Sequence, residues 1–61
     1  MKNKTQFQGN GKWFNECWHI EGLTVNNADN VTINFEDNLM QEVFLNGKLA
    51  WNNGDRLRAN N

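Results

Sequence analysis

Apolar and polar residues alternate most clearly between residues 23 and 35. Leu23 and Val25 lead into the polar run Asn26-Asn27-Ala28-Asp29-Asn30, and Val31, Ile33 and Phe35 follow it. A period of two on both arms predicts a half-buried antiparallel hairpin. In that hairpin Val25 lies opposite Val31 and Leu23 opposite Ile33. Leu23, Val25, Val31, Ile33 and Phe35 then share one face, and Thr24, Thr32, Asn34 and Glu36 share the other. The apolar face needs a cover, and the rest of the chain must supply it or a second copy must.

Around this stretch the same signals divide the chain. Residues 5–8 read as a short strand, and Gly9-Asn10-Gly11 reads as a turn that sets Phe7 opposite Trp13. Segment 12–21 is expected as a strand with Phe14, Trp18 and Ile20 on one face, because its aromatics favour sheets. The rival is a helix with a stripe of Trp13, Phe14, Cys17 and Trp18 and with Gly22 just past its end. Glu36-Asp37-Asn38 reads as a turn. Asn46-Gly47 is the preferred centre of a two-residue type I′ hairpin. Closing it pairs Leu45 with Lys48, Phe44 with Leu49, Val43 with Ala50 and Glu42 with Trp51, and gathers Phe44, Leu49 and Trp51 on one face. The rival here is a helix over 38–46, capped by Asn38 and stopped by Gly47. Asn52-Asn53-Gly54-Asp55 reads as a further turn, and Arg56-Leu57-Arg58 as a short edge strand.

The fold class is therefore mostly β: a small antiparallel meander or barrel-like sheet of about four to six short strands, completed by self-association. The alternative is α+β, with a helix at 12–21 or 38–46 covering the sheet. Residues 1–61 form one small domain, with 1–4 and 59–61 as flexible ends.

Composition narrows the function. A chain of 61 residues buries only about 60% of the surface its unfolded form exposes. Disulfides, metals or oligomerisation usually compensate for so small a core. Cys17 is the one cysteine and His19 the one histidine, so an internal disulfide and a multi-ligand metal cage are excluded and oligomerisation is favoured. A net charge of −1 gives no basic field for non-specific nucleic-acid binding. The polar start Met1-Lys2-Asn3-Lys4 has no apolar signal region, and with a lone cysteine it predicts a cytoplasmic protein. The sequons Asn3-Lys4-Thr5 and Asn30-Val31-Thr32 are then chance matches in an Asn-rich chain.

Candidate chemistry is sparse. In a strand, Cys17 and His19 would point to one face, as a thiolate–imidazole pair or two metal ligands would require. Zinc needs at least three protein ligands, and a nucleophilic thiol needs an oxyanion hole, so a buried thiol beside a surface imidazole is the simpler reading. Glu16, Glu21, Glu36, Asp37 and Glu42 read as solvated faces and turn residues rather than a catalytic pair across a cleft. No enzyme, cofactor or metal site is expected.

Trp13, Trp18 and Trp51 are the strongest binding candidates. Tryptophan is enriched at hot spots and at stacking platforms, and three are more than so small a core should hold. Phe44 joins them as part of a cross-strand apolar cluster. Arg56 and Arg58 join them as one half of a basic patch that forms if the chain ends, with Lys2, Lys4 and Lys12, come together.

The function expected is a non-enzymatic protein-binding module that acts as a homo-oligomer. Size alone suggests a small inhibitor or regulator of a host protein, of the virus- or prophage-encoded kind. A small nucleic-acid-binding β-barrel of SH3 or OB size is the alternative, and a shared-site enzyme built on Cys17 and His19 comes last. No membrane association is expected, since no apolar run approaches spanning length.

Overall fold

The computed structural model describes residues 3–53. The elements are β1 (Lys4–Asn10), α1 (Gly11–Cys17), β2 (Asn30–Glu36), β3 (Leu39–Leu45) and β4 (Lys48–Asn52). The four strands form one open antiparallel sheet in the order β1-β2-β3-β4, and α1 with the irregular segment 18–25 lies on one face of it. The protein is mostly β, as its alternation predicts. The long connection after β1 carries helix α1.

The hairpin expected over 23–35 does not form. Val31 and Ile33 lie in β2, but their partners are Gly9 and Phe7 on one side and Leu45 and Val43 on the other. Residues 23–25 are not a strand. The face is nevertheless the one the alternation marks: Val25, Val31 and Ile33 are all buried in one core with Phe14 and Val43, and Leu23 and Phe35 pack against it. Alternation reports which side of a strand is dry. It does not report which segment supplies the cover.

Segment 12–21 is not a strand. It begins as α1 despite middling helix formers, because its first turn is held from outside the helix. The Asn10 carboxamide oxygen accepts the Trp13 N–H at 2.8 Å, and the Gly11 N–H donates to the Asp29 carbonyl at 2.9 Å. Gly9-Asn10-Gly11 is thus the end of a strand and a helix cap rather than a hairpin turn, and Phe7 lies opposite Ile33 instead of Trp13. Gly11 admits no side chain, since a Cβ there would collide with the Asn26 backbone. Phe14 is 2% exposed and anchors the helix to the sheet. Packing of this kind outweighs local propensity in a helix of two turns. The helix stops at Trp18, which is extended (φ −137°, ψ 156°) and donates its N–H to the Phe14 carbonyl at 2.8 Å. Gly22 (φ 85°) serves a later turn, closed by the Leu23 N–H on the Ile20 carbonyl.

Segment 38–46 is strand β3 with its preceding turn, not the rival helix. Asp37 and Asn38, both at positive φ, close the β2–β3 hairpin, and Asn46 (φ 55°) and Gly47 (φ 83°) close β3–β4 as a type I′ turn. Leu45 pairs with Lys48 and Phe44 with Leu49, as the turn requires. Beyond them the register shifts. Val43 faces Trp51 and Glu42 faces Asn52, leaving Ala50 as the extra residue of a bulge. The bulge parts Trp51 from Phe44 and Leu49. Trp51 takes the side of Val43 and packs against the core, while Phe44 and Leu49 hold the opposite face with Thr32. The expected three-residue cluster is therefore split.

Candidate functional site

Among the described residues, one face of the sheet is covered and the other is not. Thr5, Phe7, Gly9, Val31, Ile33, Phe35, Met40, Val43, Leu45 and Trp51 alternate onto the side of α1. Lys4, Gln6, Gln8, Thr32, Asn34, Glu42, Phe44 and Leu49 alternate onto the other, on which no described element packs.

Across the uncovered face the polar side chains form one oriented chain of hydrogen bonds. The Gln8 amide donates to the Gln6 oxygen at 3.4 Å, and the Gln6 amide to the Asn34 oxygen at 2.9 Å. The Asn34 amide then donates to the Glu42 carboxylate at 3.0 Å. Each amide passes its donor toward the carboxylate, so the bonds reinforce one another and the last is charge-assisted. Near its middle, at the register shift of β2 and β3, a shallow hollow of about 390 Å³ is lined by Lys4, Gln6, Asn34, Gln41 and Glu42 among others. On β3 and β4 the chemistry turns apolar: Phe44 is half-buried and faces Leu49, which is 50% exposed. Leu39, at the far end of β3, is 64% exposed.

The residues singled out by sequence do not gather into one surface. Trp13 and Trp18 meet edge to face at 5.1 Å on the covered side, and Trp18 continues to Phe14 at 5.9 Å and to Phe35 at 6.3 Å. Both indoles pack against the core. Trp51 also packs there, and with His19, Ile20 and Glu21 it lines a second open hollow. Among the described residues, Phe44 is the one predicted site residue on the uncovered face. Arg56 and Arg58 lie outside the described residues, as do the expected strand at Arg56-Leu57-Arg58 and the tail 59–61. Lys4, counted among the flexible ends, opens β1. Asn3 is tied to Asp37 by its own N–H on the carboxylate and by the Asp37 N–H on its carbonyl, at 2.9 and 2.7 Å.

Cys17 ends α1 and is exposed, not buried as expected. His19 lies past the helix and is exposed. The two do not share a strand face. Among the described residues no three His, Cys, Asp or Glu side chains are grouped as a metal ion would need. No described helix is long and apolar enough to cross a membrane.

Exposed Phe7, Leu39 and Leu49 are not among the binding candidates that the sequence offers. Leu49 was legible, because the Asn46-Gly47 turn fixes its pairing with Phe44. Phe7 was not, because its exposure depends on β1 being an edge. Comparison with protein-family models, curated proteins and solved structures finds no match for the chain.

Proposed function

We propose that the chain is a non-enzymatic protein-binding module that self-associates and acts as an inhibitor or regulator of a larger protein. The observation that supports this is the uncovered sheet face, where Phe44 and Leu49 sit together beside an ordered amide ladder. An apolar patch bordered by satisfied polar groups is a feature of protein interfaces. The apolar face that needed a cover on sequence grounds is closed by α1 and residues 18–25, so among the described residues the sheet's other face and its edges are the surfaces left to partners.

The test uses the immobilised full chain, lysate with and without nuclease treatment and the double variant Phe44→Ser, Leu49→Ser. The expected result is a protein retained by the native chain and lost, by tenfold or more, with the variant, while both give the same circular dichroism. Retention that the variant does not alter overturns the assignment of this face. Retention that nuclease abolishes overturns the protein-binding reading.

A further inference from the structure

The sheet has two outer edges, and they are built differently. β4 is five residues long, follows a tight turn and is broken by the bulge at Ala50. Shortness and bulging are what blunt an edge against further pairing. β1 is seven residues long, unbulged against β2, without proline, and almost wholly exposed. Its only charge is Lys4. Among the described residues, nothing pairs with the outer side of this edge.

The groups it offers follow from register. Asn3 and Gly11 extend the β1–β2 pairing at either end, the first accepting from the Asp37 N–H and the second donating to the Asp29 carbonyl. In an antiparallel ladder the hydrogen-bonded positions alternate. Thr5, Phe7 and Gly9 therefore direct their backbone toward β2, and Lys4, Gln6 and Gln8 direct theirs outward. Among the described residues no strand lies on that outer side.

We propose that this edge pairs with the same edge of a second copy, β1 antiparallel to β1 about a two-fold axis through Phe7, giving one continuous eight-stranded sheet. This deepens the self-association in the reading above and rests on it. The occupant follows from the strand's own symmetry. Reading outward from Phe7, the sequence meets Gln6 and Gln8, then the small residues Thr5 and Gly9, then Lys4 and Asn10. A strand that reads nearly alike in both directions is self-complementary, which an isologous contact requires. On the axis Phe7 faces Phe7 of the other copy at a non-hydrogen-bonded pair, where side chains come closest. That contact covers a ring that is 50% exposed and already edge to face with Phe35 at 5.3 Å. Gln6 faces Gln8 of the other copy and exchanges both backbone bonds with it. The second N–H of each Gln6 amide meets the Gln8 oxygen across the axis, so the two ladders join. Lys4 falls opposite Asn10 rather than another lysine, so no like charges meet.

Sedimentation of the full synthetic chain tests this, because backbone N-methylation removes one donor at a time. The native chain is expected to be a dimer at micromolar concentration. N-methyl-Gln6 removes two bonds from the interface and none from β2. It should raise the dissociation constant by ~10-fold or more at an unchanged unfolding midpoint. N-methyl-Phe7 should instead lower the midpoint, because its N–H belongs to the β2 ladder. Phe7→Cys in a Cys17→Ser chain should cross-link to itself on oxidation, and Gln8→Cys should not. A dimer indifferent to N-methyl-Gln6 overturns the edge assignment and leaves self-association standing. A chain that stays monomeric at all concentrations overturns both, without touching the partner face at Phe44 and Leu49. A monomer that N-methyl-Gln6 destabilises means that the chain's own remaining residues close the edge, and overturns the dimer.

Discussion

The ring of Trp13 fills the space beside Gly9 that a larger residue would need, with Cδ2 lying 2.6 Å from where a Cβ would stand. The strand and the helix that follows it are locked together by the absence of one methyl group. Gly9→Ala is expected to cost about 1–3 kcal/mol, the range for forcing an extra carbon into a packed site. For a domain of this size each kcal/mol lowers the thermal midpoint by about 4–8 °C. In a Trp13→Ala background the same substitution should cost close to nothing, so a double-mutant cycle isolates the contact.

Gly11→Ala should be worse than Gly9→Ala. At Gly9 the obstacle is a side chain that can turn. At Gly11 it is backbone, with the Asn26 carbonyl carbon 2.6 Å from the Cβ position. Urea unfolding of the two variants side by side checks the order, and a milder Gly11→Ala would contradict the close approach of loop 24–29 to the helix start.

Asn46 has two tasks. It takes the positive φ of the type I′ turn, and its side chain joins two loops: Oδ1 accepts the Asn30 N–H at 2.8 Å and Nδ2 donates to Asp29 at 2.9 Å. Asp29 in turn accepts the Asn26 N–H at 2.9 Å. Asn46→Gly keeps the turn and loses both side-chain bonds, and should cost about 1–3 kcal/mol. Asn46→Ala loses the bonds and adds left-handed strain, and should cost roughly 1 kcal/mol more. Equal unfolding midpoints for the two variants would show that the turn conformation does not matter.

Phe14 and Phe44 separate the roles of the two faces. A domain of 61 residues holds only about 3–9 kcal/mol in total. Phe14 is 2% exposed under the helix, and Phe14→Ala should cost about 3–5 kcal/mol and leave much of the chain unfolded. Phe44→Ala, on the uncovered face, should cost no more than about 1 kcal/mol. Chemical denaturation of both decides it, and equal losses would mean that Phe44 belongs to the core.

What could be read from sequence was local. Asn46-Gly47 declares its turn through a conformation few residues accept, and Val31, Ile33 and Phe35 declare a dry face by alternating. Three features were not local. Val25 alternates correctly with Val31 yet reaches the core from a loop, because the spacing of apolar residues carries no record of pairing. Helix α1 depends on Asp29, Asn26 and the sheet beneath Phe14, none of which its own composition announces. The bulge at Ala50 left no mark in a regular alternation, and it alone moves Trp51 away from Phe44. The candidate site is spread over the fold: the three tryptophans are half-buried against the core, and Phe44 lies on the other face.

The central claim is a sheet dry on one face and open on the other, with Val25 and Trp51 on the dry side and Phe44 and Leu49 on the open one. Relaxation of side-chain protons by a dissolved paramagnetic agent, followed by NMR at low concentration, reads this residue by residue. Val25, Val31, Ile33 and Val43 should be shielded, Trp51 largely so, and Phe44 and Leu49 strongly relaxed. Phe44 and Leu49 shielded with Val25 exposed would contradict the account.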